Sequence, residues 1–165
     1  MEATQQENMQ KILQQETEIT LAYFNGRSLK QLAEYLMKEM ERTTTPLTAR
    51  ITKNDQQILF HYVTNGCALD KDNWVRRKTN TVLNFGHCSQ WFYYKVQGNH
   101  EELITKYGLS LSDYTVSGGA VPIIVKDVGC VGVVAISGYS GPWEDHDLAI
   151  NALLFVKAQQ AGEEK

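Results

Sequence analysis

LTARITK (Leu47–Lys53), then Asn54-Asp55-Gln56, then QILFHYV (Gln57–Val63) is the stretch that decides the fold class. Leu47, Ala49 and Ile51 share one face of the first run, and Thr48, Arg50 and Thr52 share the other, which is the period of a strand. Asn54-Asp55 supplies turn chemistry and the β-rich second run leads back, so the segment predicts a β-hairpin. A hairpin pairs its strands antiparallel, without the helical crossover that a parallel pair requires.

A second strand pair follows further on. Ala120–Lys126 reads as a strand whose Pro122 belongs near its start or on an edge, because proline cannot donate to a ladder. Asp127–Cys130 makes a turn. Val131–Ser137 is apolar on both faces, as a central strand is. The remaining periodic segments are helical. Asn8–Glu18 turns Met9, Ile12, Leu13 and Glu16 to one side. Ser28 with Gln31 three residues later forms a capping box for a helix carrying Leu29, Leu32, Ala33, Leu36, Met37 and Met40, stopped by Thr43–Pro46. Asp70 or Asp72 caps a long helix expected to run to about Val96, with Gly86 an irregularity inside it. A short helix is expected near Glu101–Lys106. Pro142 opens a last one, to about Gln159, with Glu144, Asp145 and Asp147 at its positive end. Ile19–Phe24 reads as a short edge strand. This order has no parallel β-α-β alternation. It predicts an α+β fold, an antiparallel sheet with helices on its faces.

The 165 residues suit one domain, 1–165, with residues 1–15 a polar, Gln-rich extension or helix. Hydrophobic residues make up 42% and charged residues 21%, a globular composition. The net charge of -3 argues against a nucleic-acid binder, which needs a broad basic surface. No apolar run reaches membrane-spanning length, and no secretory h-region opens the chain. Cys67, Cys88 and Cys130 are sparse, odd in number and outside any C-x-x-C pattern, which points to a reducing cytoplasm and away from zinc ligation.

The long helix carries Trp74, Lys78, Thr81, Val82, Phe85, Cys88, Ser89, Phe92 and Val96 on one stripe. Lys78 stands where an amphipathic helix would put leucine. A cation there needs an anionic partner or a path to water, since burying it alone is costly. Arg77 flanks the stripe, and Arg76 points away from it. Trp74, Arg77 and Lys78 can form an anion clamp: a planar fork, a point charge and an apolar wall. The plainer alternative is a lysine that snorkels along Trp74 to meet an aspartate, within the chain or across a subunit contact. His146 falls on the inner face of the last helix with Ile150 and Leu153. A helix N-terminus favours its neutral form, suited to a base, a ligand or a core-edge histidine. Glycine-rich turns at Ser117-Gly118-Gly119 and Ser137-Gly138 can offer backbone amides to an anion, or simply be tight turns. The aromatic run Trp91–Tyr94 can stack a planar ligand, but it spreads around its helix and so reads as core plus subunit contact before ligand. The last helix is apolar on two sides, Ala149, Ile150, Leu153 and Val156 against Leu148, Ala152 and Phe155. That surplus predicts a homo-oligomer.

W-V-R-R-K-T (Trp74–Thr79), F-G-H-C-S (Phe85–Ser89), G-G-A-V-P-I (Gly118–Ile123), V-G-V-V-A-I-S-G (Val131–Gly138) and Asp145-His146 together resemble one uncharacterised family, labelled haem-degrading domain and related to the HbpS/GlcG-like proteins. The resemblance runs collinearly from about Glu16 to Val156. It implies a profilin-like α+β fold, a central antiparallel sheet flanked by helices on both faces, assembled as a homo-oligomer in the cytoplasm. It also implies haem binding or breakdown. The leading expectation is a cytosolic homo-oligomer binding a small anionic or planar ligand, haem among the candidates. Its site would use Trp74, Arg77, Lys78, Ser137, Gly138, Asp145 and His146. One alternative is an enzyme with His146 as general base, Asp145 as its partner and Lys78 stabilising negative charge. The other is a protein-interaction scaffold with no small-molecule ligand.

Overall fold

A computed structural model of the chain describes residues 3–163. In order, its elements are α1 (Gln5–Glu18), α2 (Gly26–Met40), β1 (Thr48–Lys53), β2 (Ile58–Val63), α3 (Asp70–Phe85), α4 (Ser89–Lys95), α5 (Glu101–Thr105), β3 (Ala120–Val125), β4 (Gly129–Ser137) and α6 (Glu144–Glu163). The strands form one sheet in the order β2-β1-β4-β3, every pair antiparallel. Both expected hairpins are present, and β1 joins them by pairing with β4 from Thr48↔Ser137 to Lys53↔Gly132.

The sheet is covered on both faces, as the α+β reading requires. Ala49, Ile51, Val121, Ile123, Val134 and Ile136 pack with Ile12, Leu32, Leu36, Ile150 and Leu153 from α1, α2 and α6. On the opposite face Ala120, Val133 and Ala135 pack with Val75 and Val82 of α3. Alternation along β4 sends consecutive residues to opposite helical layers, which is why that strand is apolar throughout.

The two outer edges of the sheet differ. Along β3, the Ser89 hydroxyl accepts from the Ala120 amide at 3.0 Å and lies 3.4 Å from the Ala120 carbonyl oxygen. Pro122 has no N–H to leave bare. The Leu21 amide donates to Ile124 O, and the Lys126 amide donates to Leu21 O, each at 2.9 Å. The expected edge strand at Ile19–Phe24 is therefore a single parallel bridge, Leu21↔Val125. Among the described residues no strand pairs with the outer edge of β2, where Ile58 is 52% and Val63 42% exposed.

Several helix ends differ from expectation. Asn25, not Ser28, caps α2: its side chain accepts the Arg27 and Ser28 amides, and Ser28 returns the bond. The helix start at Asp70 has no side-chain cap, and Asp72 instead faces His61 at 3.3 Å. The long stripe helix is two helices. Gly86 ends α3 in the left-handed region at φ 74°, a conformation glycine adopts without strain. The Glu16 carboxylate then receives the Cys88 amide and the His87 ring, both at 2.8 Å, so α4 starts afresh. Pro142 lies in the turn before α6, which begins at Glu144 and runs to Glu163. The second apolar side of α6 is covered only in part within the chain: Ala152 is buried, while Phe155 stacks on Tyr35 at 5.0 Å and stays 37% exposed.

Candidate functional site

The end of the sheet where β4 finishes and β3 begins is open on one side. Lys78 reaches around this end from α3 toward α6. Its Nζ donates to Ile136 O at 2.8 Å and to Asp145 Oδ2 at 3.1 Å. The second carboxylate oxygen of Asp145 accepts the Tyr139 amide at 3.1 Å. Gly119 makes this junction sterically possible. Its φ is 122°, and a Cβ there would sit 2.6 Å from Ile136 O and 2.8 Å from the lysine nitrogen.

Lys78 is 3% exposed. Burial lowers its pKa from the ordinary lysine value, and the Asp145 carboxylate opposes that shift. Burial likewise raises the Asp145 carboxyl, against the pull of Lys78 and the amides of Tyr139 and Gly138. Desolvation thus acts against charge on both partners, and their contact is what offsets it. An ammonium has three donors. Two are used here, and the lysine borders a cavity of about 370 Å³.

Trp74, Lys71 and Lys78 come to this cavity from α3, Gln90 and Tyr93 from α4. The turn at Ser117-Gly118 and the segment through Ser137, Gly138 and Tyr139 complete the wall, with Asp145 beside them. Two lysines against one aspartate leave the lining cationic. The Trp74 ring carries the Arg77 guanidinium at 4.7 Å.

Five residues expected at one site, Trp74, Lys78, Ser137, Gly138 and Asp145, therefore do border one cavity. Arg77 and His146 do not. Arg77 stacks behind Trp74, its Nε buried without a partner. His146 turns into the contact with α1, where Nε2 meets Gln15 Oε1 at 2.8 Å and Nδ1 has no partner. Burial, with a smaller push from Lys11, lowers its pKa to about 3, so it is neutral. Asp145 bonds Lys78 and the Tyr139 amide, not the histidine beside it in sequence. Arg76, expected to point away from the stripe, pairs with Asp113 at 3.0 Å.

Lys71, Gln90 and Tyr139 were not legible as site residues, and Tyr93 was so only as one member of an aromatic run. Gln90 and Tyr93 lie beyond the Gly86 break, so the period of α3 says nothing about them. Trp91 tilts against His87 at 4.3 Å, Phe92 stacks on Phe85 at 4.1 Å and Tyr94 packs on Trp143 at 5.7 Å. Only Tyr93 of that aromatic run borders the cavity. Among the described residues no group of three or more His, Cys, Asp or Glu side chains is placed to hold a metal ion.

A family model described as "Haem degrading protein HbpS-like" matches residues 24–154. The chain is 37% identical over 146 residues to a UPF0303 protein of Psychromonas ingrahamii, covering 88% of this chain and 91% of that one. It is 34% identical over 147 residues to a UPF0303 protein of Serratia proteamaculans, covering 89% and 90%. Among solved structures, the Ybr137w protein superposes with a TM-score of 0.84 at 26% identity, covering 93% of this chain and 90% of that one. The PduOC:heme complex superposes at 0.62 with 14% identity (80% and 94%), and HbpS at 0.60 with 12% identity (83% and 89%), likenesses of fold. The family match spans both hairpins, the broken stripe helix and the Lys78–Asp145 junction: this chain belongs to the HbpS-like haem-degrading protein family.

Proposed function

We infer that this chain is a cytosolic, homo-oligomeric protein that binds a small anionic or planar ligand in the cavity beside Lys78. The observation that carries the reading is the lysine itself: buried, held on two sides and bordering an aromatic-walled space with a donor to spare. At about 370 Å³ the cavity is at the small end of ligand sites, so the ligand has one or two rings. Lys71 and Lys78 attract an acid, Trp74 and Tyr93 offer apolar contact, and the Ser117 and Ser137 hydroxyls fix orientation.

The ion pair is formed within one chain and adjoins a cavity, which favours binding over the scaffold reading. The enzyme reading has less support, because His146 Nδ1 is enclosed away from the cavity and Nε2 is engaged by Gln15. Benzoate titrated into the purified protein by calorimetry tests the proposal. We expect saturable binding, weakened at least tenfold in Lys71→Met. An absence of binding, or binding indifferent to Lys71, would overturn it.

Haem is the second reading, favoured by the family and by a relative in complex with heme. The cavity fits it poorly. Tyr93 and Tyr139 border it, but among the described residues no imidazole, thiol or thioether does, and those are the commoner axial ligands.

A further inference from the structure

Gln90 is unusual among the cavity residues. It is 2% exposed, and its side-chain amide makes no hydrogen bond with any described residue. Buried amides are almost always paired, because an unmade bond costs the full desolvation of the group. What surface Gln90 keeps opens onto the cavity beside Lys78.

The position is built for that side chain. Gln90 Oε1 lies over Gly118, where a Cβ would fall 1.5 Å from the oxygen and 2.7 Å from the amide carbon. Any other residue at 118 would expel the amide. Ser89, the residue before it, is fixed to Ala120 through its hydroxyl, so the start of α4 is anchored to the sheet. A primary amide offers a donor and an acceptor side by side. A partner that satisfies both presents the reverse pair on one flat edge, as a lactam or imide does. The lysines call for a carboxylate on the same small molecule.

We propose that the cavity selects a planar acid bearing a lactam or imide edge, a cyclic amide of one or two rings, and that Gln90 reads that edge. This rests on the acid-binding reading above and adds its specificity. A site with a committed hydrogen-bonding group discriminates strongly against analogues that lack the matching group, because the site is then left unpaired.

Orotate and benzoate test it. Both are flat carboxylates that fit the space, and only orotate carries an imide edge. Calorimetric titration of the intact protein is expected to give orotate an advantage of at least tenfold. Gln90→Leu and Gln90→Glu, each checked for an unchanged melting profile, should reduce that advantage to about none. The glutamate variant keeps the shape and removes the donor, so it reports on the edge even if the leucine variant misfolds. Equal affinity for the two acids in the parent protein would overturn this proposal and leave the acid-binding reading standing. An orotate preference that survives in both variants would also overturn it. Failure of both acids to bind would overturn the two readings together.

Discussion

Lys78 on α3 and Asp145 on α6 meet at 3.1 Å although 67 residues separate them and their helices lie on opposite faces of the sheet. The side chains are only 4% and 12% exposed. Removing one member strands the other away from water. Lys78→Met keeps the apolar stem and should cost about 3–5 kcal/mol of folding stability. Arg76→Met breaks an exposed pair with Asp113 and exposed hydrogen bonds to Asn73 and the Ser112 carbonyl and should cost less, about 1–2 kcal/mol. Denaturant melts at one protein concentration compare them; equal midpoints would mean the buried pair contributes nothing.

Gly119 gives a second test of the same junction. Gly119→Ala forces φ 122° on a residue with a Cβ and drives that carbon into Ile136 O, Lys78 and Asp145. A loss of about 1–3 kcal/mol or more is expected. Gly162→Ala, in α6 with nothing within 4 Å of the added carbon, should be neutral or stabilising by up to about 1 kcal/mol. Thermal melts of the two should move in opposite directions, or the first alone should move.

His146 predicts the acid limb of stability. Its pKa is lowered by burial, to about 3 from 6.5. Between those values the unfolded chain takes up a proton that the folded chain refuses. Stability therefore falls as pH drops from about 6.5 toward 3, by up to roughly 1.4 kcal/mol per unit. His146→Gln keeps a donor for Gln15 and removes the titration. Its denaturant midpoints at pH 6.5, 5.5 and 4.5 should decline less steeply than the parent's; parallel slopes would refute the assignment.

Assembly is expected to use the unpaired edge of β2. Light scattering at micromolar concentration should return a multiple of the chain mass. Val63→Lys places a charge on that edge, a device that natural edge strands use against pairing, and should lower the mass. A monomeric parent would end the oligomer proposal, and an unaffected oligomer would move the contact elsewhere.

Haem should bind weakly and without fixed stoichiometry. A Soret titration with a sharp equivalence at one per chain, abolished in His146→Ala, would promote haem to the main ligand.

Alternation and turn chemistry carried the fold a long way. The hairpin at 47–63, the two-faced strand at 131–137 and the edge position of Pro122 all follow from local rules, and all are observed. The end of α3 did not follow, because a glycine in a helical pattern reads as tolerable until a distant group intervenes. Here Glu16, far away in sequence, receives the Cys88 amide and makes a new helix start favourable. The site divides in the same way. Lys78 was conspicuous because its charge contradicts its stripe. Gln90 was not, since a polar residue on an uncertain helix face has no anomaly to show. His146 was correctly expected to point inward, but sequence alone cannot say whether inward means a cavity or a packed helix contact.

The two edges of the sheet have a consequence for growth. Ser89, Pro122 and Leu21 finish the β3 side, so that side accepts no further strand. A sheet that can lengthen in one direction only cannot polymerise by adding strands. Two copies joined antiparallel through β2 would consume the free margin that the described residues leave on each and stop at a closed pair. Any larger assembly must then be built from the helical layers.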